Sequence, residues 1–247
     1  PGPPFTAIND TLQNRRIALA LPIPALVGLE ESVKGPLLEY VGERGFVSVA
    51  LEGGQHDDPR TIDRHEAAIW ITLVTSGALQ PEDVPDLSSH FDALRDAARG
   101  LPGILEIVYR QALEPGDGFR MEPGFTNFTA VKEGRLVARD HAGDVRIPRD
   151  GHLLLPLYQG QGEDGFFLGV EVRRFWLRLS AVLRRLRADR LMRLLPGVKK
   201  DPGQPGVLRC RRKVARWFAS ELFHLFGYRK LEETPDDLLF QRRPDQF

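Results

Sequence analysis

The run Phe46-Val-Ser-Val-Ala-Leu-Glu-Gly-Gly-Gln-His-Asp-Asp-Pro59 decides how the first half of the chain is read. Its apolar, partly β-branched opening predicts a buried strand over residues 46–51. Two glycines then permit a tight turn, and Asp58 followed by Pro59 supplies an N-cap and a first helical residue. The flanking sequence repeats this alternation. Asn9 and Asp10 predict the start of a helix through Leu12, Ile17 and Ala20, stopped by Pro22 and Pro24. Residues 25–28 read as a short strand, and Pro36 opens a helix with Leu37, Leu38 and Val41 on its apolar face. The helix after Pro59 carries a stripe of Ile62, Ile69, Trp70 and Leu73 and stops at Gly77. Ser88 or Ser89 opens another helix to Gly100, and residues 105–109 form a further strand. Such alternation predicts an open α/β sheet over residues 1–115.

Beyond Pro115 the texture changes. Between Gly116 and Val172, short β-type runs at 136–138, 145–147 and 153–157 are separated by turn signals, notably Lys132-Glu-Gly134, His141-Ala-Gly143 and Arg149-Asp-Gly151. Residues 116–172 are therefore expected to form a small all-β domain. A basic helical extension is expected over 173–247. Its first helix puts Val172, Trp176, Leu179, Leu183 and Leu186 on an inward stripe, with Arg173, Arg174, Arg178, Arg184, Arg185 and Arg187 around the rest. A final amphipathic helix points Val214, Trp217, Phe218, Leu222 and Leu225 inward.

The 247 residues carry 34 basic and 34 acidic side chains, and this balance hides an asymmetry. Residues 173–247 hold 19 Lys and Arg against 8 Asp and Glu, or +11, which leaves 15 against 26, or −11, for residues 1–172. A basic tail of this kind could seek nucleic acid or an anionic surface; docking on its own acidic body is the expected outcome. No apolar run approaches the ~20 residues of a membrane span, so no membrane partner is expected. One cysteine, Cys210, excludes an internal disulfide framework and a Cys-based zinc knuckle. A cytoplasmic, reducing setting is the expectation.

Several motifs carry less than they promise. Gly160-Gln-Gly-Glu-Asp-Gly165 is a literal GxGxxG, but the next residues read as strand rather than as the helix a dinucleotide site needs. His65-Glu-Ala-Ala-Ile69 fails the zinc motif HExxH at its fifth position, leaving His65 as a boundary histidine. Asn9-Asp-Thr11 and Asn127-Phe-Thr129 are acceptor sequons that need secretion to matter. Arg209 and Arg211 flank Cys210 and could lower its pKa, although no partner histidine or asparagine is legible.

Glu52 is the candidate that carries chemistry. Following an apolar strand, it is placed at the carboxyl end of a parallel-type strand, where open α/β sheets hold their ligands. A carboxylate there suits a general base; the competing reading is a loop carboxylate that caps the next helix.

The run Val49-Ala-Leu-Glu-Gly-Gly-Gln-His56 resembles the catalytic-glutamate segment of the succinylglutamate desuccinylase/aspartoacylase family. Phe119-Arg-Met-Glu-Pro-Gly-Phe-Thr-Asn-Phe128, Val131-Lys-Glu-Gly134, Leu136-Val-Ala-Arg-Asp140, Arg149-Asp-Gly151 and Pro156-Leu-Tyr-Gln-Gly-Gln-Gly162 resemble its following β domain. The resemblance covers about residues 1–172. It implies an open carboxypeptidase-like α/β sheet, N-terminally incomplete, followed by the small all-β domain and the C-terminal extension.

It also implies a zinc-dependent amidohydrolase: a deacylase of a small N-acyl amino acid or similar carboxylate amide, with Glu52 as general base and zinc as Lewis acid. In the family, an HxxE pair and a later histidine hold the metal, upstream of the glutamate. None of His56, His65, His90, His141, His152 and His224 begins HxxE, and Pro1-Gly-Pro-Pro-Phe5 resembles the segment just after the third ligand. No metal ligand is therefore expected in this chain, the ligands being expected upstream of Pro1, and the chain alone is expected to be inactive. If zinc did bind it, Glu52, His56 and His65 would be the residues to consider. The family's substrate-clamping residues cannot be placed. Its β-domain tyrosine has no counterpart at Phe166 and Phe167, with Tyr158 nearby. The alternative is a non-catalytic module, or a degenerate family member, that uses the basic tail to contact nucleic acid or a protein.

Overall fold

A computed structural model describes residues 2–33, 37–159, 162–204, 206–212, 219–243 and 245. Pro36, Gly160, Val214, Trp217 and Phe218 lie outside them, and with them the readings placed there. The first part runs β1 (Phe5–Ile8), α1 (Leu12–Ala18), β2 (Ala25–Val27), α2 (Leu37–Glu43), β3 (Ala50–Glu52), α3 (Arg60–Ser76), α4 (Leu87–Ala97) and β4 (Ile104–Ala112). Then come β5 (Arg120–Met121), β6 (Thr129–Val131), β7 (Leu136–Asp140), β8 (Gly143–Arg146), β9 (Gly151–Leu154) and β10 (Asp164–Glu171). The last part holds α5 (Arg174–Arg185), a 3₁₀ segment (Ala188–Leu194), β11 (Val198–Lys200), β12 (Val207–Arg211), α6 (Ala219–Leu225), β13 (Tyr228–Glu233) and β14 (Asp237–Arg242).

The architecture is mixed α/β. Seven strands join in the order β3-β1-β2-β4-β10-β9-β6, beside a three-stranded sheet β5-β7-β8 and a four-stranded sheet β11-β12-β14-β13. β1, β2 and β4 are parallel, while β3 and β10 are antiparallel to their neighbours. Long β4 is the seam: it pairs with β2 on one side and β10 on the other, so one sheet runs straight across position 115. Phe5, Leu26, Leu105, Phe128, Leu154 and Phe167 pack into one core that draws on both segments.

Four expectations change. The strand expected over 46–51 shrinks to β3, an antiparallel edge strand, and Phe46 and Val47 stay exposed. Residue 48 is tied down otherwise: its backbone NH donates to Asn14 Oδ1 at 3.0 Å and its hydroxyl to the Leu38 carbonyl at 3.1 Å. The first helix is capped by Thr11, whose hydroxyl accepts from the Asn14 NH, rather than by Asn9 or Asp10. Helix α3 does stop at Gly77 in a left-handed conformation. It buries Arg64, Ala67, Ala68 and Ile71, however, and leaves Ile62 and Ile69 in solvent. Two alanines let the helix axis come close to Leu21, Ile23 and Leu94, an approach larger side chains would block.

The tail, finally, is not purely helical. Its four-stranded antiparallel sheet packs with α6 around Met192, Leu208, Phe223, Tyr228 and Phe240. Phe223 and Phe240 stack at 3.9 Å between centroids. The inward face of α5 is Leu177, Ser180 and Arg184; Trp176 and Leu186 are exposed. That face is chosen by polar bonds to the body, which an apolar-stripe reading does not see.

Candidate functional site

Glu52 ends β3 opposite Phe5, the first residue of β1. Because β3 runs antiparallel to β1, Glu52 lies at the amino end of the parallel strands, not at their carboxyl end as expected. Its side chain is exposed and has no ion pair among the described residues. The turn after it is rigidly held. Arg64 Nη1 donates to the Gly53 carbonyl at 2.9 Å and to the Gly2 carbonyl at 3.3 Å. His65 packs so tightly on Gly53 that an added Cβ would stand 2.3 Å from its ring. Gly54 has φ +135°, and a Cβ there would meet Arg64 at 2.7 Å. Both glycines are thus required, one for space and one for backbone conformation as well. Thr61 closes the turn by donating its hydroxyl to the Gln55 carbonyl at 2.8 Å.

The residues singled out for metal do not converge. His56 is exposed, and His65 Nδ1 is engaged with the Thr61 carbonyl at 2.7 Å. Among the described residues no three His, Cys, Asp or Glu side chains form a group able to hold a metal ion. The donor set present therefore does not fit a zinc centre of its own. Cys210 is buried in the tail core, and burial pushes its thiol up, opposite to the shift its flanking arginines suggested. Arg209 is occupied instead with Asp201 and Asp237. Tyr158 is committed to structure: its hydroxyl accepts from the Phe125 NH at 2.9 Å and donates to the Glu122 carbonyl at 2.8 Å.

The carboxyl ends of β1, β2 and β4 carry a second assembly, unforeseen in its details. A cavity of about 560 Å³ lies there under α5 and α6, with Val27, Val172, Trp176, Leu177, Leu222 and Leu225 on its walls and Asp10, Arg15, Glu106 and His224 among its polar groups. Arg15 and Arg184 both clasp Asp10, and Arg184 Nη2 stands 2.7 Å from its carboxylate. Burial opposes ionisation of Asp10, but Arg15, Arg184 and Arg243 outweigh it and hold its carboxyl well below the usual range. Arg243 binds Glu30 and Glu31 at 2.9 Å each. His224 bridges Glu106 through Nδ1 and Glu31 through Nε2. Burial alone would lower the His224 pKa; the hydrogen bonds and charges of Glu106 and Glu31 win and push it up to about 9. Four tail residues, Arg184, His224, Arg229 and Arg243, thus dock on acids of the body, as the charge asymmetry led one to expect. The signal in the sequence was Arg184 itself, an arginine that its spacing places in line with Leu177 and Ser180.

No family model and no curated protein matches this chain. Solved structures do resemble it. The ectoine utilization protein EutE (DoeB) from Ruegeria pomeroyi is 22% identical, with 68% of this chain and 55% of that one covered and a TM-score of 0.49. A succinylglutamate desuccinylase/aspartoacylase from Rhodobacter sphaeroides is 17% identical over 70% and 55%, with a TM-score of 0.49. Succinylglutamate desuccinylase from Vibrio cholerae is 16% identical over 70% and 50%, with a TM-score of 0.42. The chain spans little more than half the length of these structures.

Proposed function

We propose that this chain carries the glutamate of a deacylase that hydrolyses the amide bond of a small N-acyl amino acid or similar carboxylate amide. The observation behind the reading is the Val49–His56 run, folded as a strand and a glycine turn ahead of α3, with the Glu52 carboxylate exposed at the turn and without an ion pair among the described residues. A carboxylate so placed can take a proton from water as it adds to the amide carbon, and return that proton to the departing amine nitrogen. Arg64 bonds the Gly53 and Gly2 carbonyls and His65 packs on Gly53, so both brace the turn, and neither is hydrogen-bonded to the Glu52 carboxylate. The resemblance implies zinc as Lewis acid in such a reaction, held by ligands other than the described residues.

The test is amine release from N-acetyl and N-succinyl amino acids, with zinc supplied, by this chain together with the upstream metal-binding portion that the resemblance implies, and by Glu52→Gln in the same protein. Loss of a general base typically costs about 10²–10⁴-fold, and the variant should keep its thermal midpoint because the side chain is exposed. Equal turnover in the two proteins would remove Glu52 from the mechanism; no release by either would remove the deacylase reading.

A further inference from the structure

Two groups of the tail's arginines differ in what they touch. Arg184, Arg229 and Arg243 are spent on body carboxylates. Arg174, Arg178, Arg185, Arg187, Arg190 and Arg193 are exposed, and none forms an ion pair among the described residues. The single acid between residues 174 and 194 is Asp189, which is buried beside Arg242. This segment therefore presents uncompensated positive charge to solvent.

The same segment presents apolar side chains, and it does so by geometry. Along α5, Phe175, Leu179, Val182 and Leu186 recur at spacings of four, three and four, which places them on one side of the helix. The side bound to the body, marked by Leu177, Ser180 and Arg184, lies opposite. Phe175 is 64% exposed, Val182 51% and Leu186 72%. Arg174, Arg178 and Arg185 follow one flank of this stripe. The 3₁₀ segment repeats the plan at a period of three, since residues three apart eclipse one another there. Asp189 and Met192 point inward, Leu191 and Leu194 share a second face, and Arg187, Arg190 and Arg193 share a third. Leu194 is 79% exposed.

We propose that residues 174–194 form a docking surface for an anionic phospholipid membrane, with the apolar stripe entering the headgroup region and the arginines engaging lipid phosphates and carboxylates. An interfacial helix is defined by this division, apolar on one side with basic side chains alongside. Nucleic acid would use the arginines but has no place for leucines aimed at solvent. A second copy would bring like charges face to face. No helix among the described residues is long and apolar enough to cross a membrane, and the proposed contact through residues 174–194 lies in the interface plane. This departs from the expectation that no membrane takes part, and it stands independently of the role of Glu52.

The experiment is co-sedimentation of the full chain with vesicles of phosphatidylcholine alone and of phosphatidylcholine with phosphatidylserine. Binding is expected only to the second and should weaken as salt is raised. Replacing Arg178, Arg185 and Arg190 by Gln should lower partitioning about a hundredfold, at roughly 1 kcal/mol per charge, while Lys at the same positions preserves it. Leu186→Ser with Leu194→Ser should lower it at least about tenfold. All five side chains are exposed, so unchanged thermal midpoints confirm folded variants. Absent binding, or equal binding to neutral vesicles, overturns the proposal. So does nucleic-acid binding that the Leu variant retains, or self-association that it abolishes.

Discussion

His224 should make the docking of the tail depend on alkaline pH. Its imidazole sits between Glu106 and Glu31, with Arg243 on the far side of Glu31. A rise from 6.5 to about 9, at about 1.4 kcal/mol per pH unit, is worth roughly 3 kcal/mol of folding free energy. The sign follows from linkage: the folded protein holds this proton more tightly than the unfolded chain. The contribution is complete below about pH 6.5, falls as pH rises, and is nearly gone by pH 9. Glu31 is held below its ordinary value despite its burial, chiefly by the His224 hydrogen bond, and titrates on the acid side, outside this window. Urea denaturation of the wild type and of His224→Gln, followed by far-ultraviolet circular dichroism from pH 6 to pH 10, reads the effect directly. The gap between the two proteins should shrink by roughly 3 kcal/mol across that range. A gap that stays constant with pH would mean that His224 is neutral when folded, and that the tail is held by its arginines and core alone.

Other substitutions probe the same framework. Gly53→Ala puts a methyl group 2.3 Å from the His65 ring; it should destabilise by about 1–3 kcal/mol, and adding His65→Ala should recover most of that loss in urea titrations. Arg184→Met leaves Asp10 with less compensation in a buried setting and should cost about 3–5 kcal/mol; a loss below about 1 kcal/mol would show that water reaches Asp10. Phe240→Ala empties the stack under Phe223, and calorimetry should find a loss of about 3–5 kcal/mol. If the tail sheet unfolds separately, that loss will fall on one of two transitions.

The helix–strand alternation of the first half was legible because Pro22, Pro24, Gly77 and Gly100 fall between its elements, and such residues interrupt a helix without needing a partner. Gly77 closes α3 in this way, and the strand read at 105–109 is the core of β4. The faces of α3 and α5 were not legible. In each, the inward side carries an arginine, Arg64 or Arg184, that bonds a carbonyl or carboxylate far away in sequence, at Gly2 or Asp10. Apolar spacing therefore pointed outward. The tail strands hide for a related reason. Val207-Leu-Arg-Cys-Arg211 alternates only weakly, and its partner at 237–242 sits past an intervening helix. As for the candidate site, Glu52 and its glycines were visible as types, but strand direction was not, because it is fixed by which neighbour β3 pairs with. The cavity under α5 and α6 joins residues more than two hundred positions apart, and no local pattern announces it.

That long reach bears on how the protein is made. Glu30 is synthesised 213 positions before Arg243. Throughout that interval the carboxylates at the strand ends lack their counter-charges, and Asp10 has only Arg15 beside it. A nascent chain in this state gains little from burying its strand ends, and closing so long a loop is slow. Formation of this charge cluster therefore waits on synthesis of the segment around Arg243, and a chain cut short before it lacks the charges that hold the strand ends.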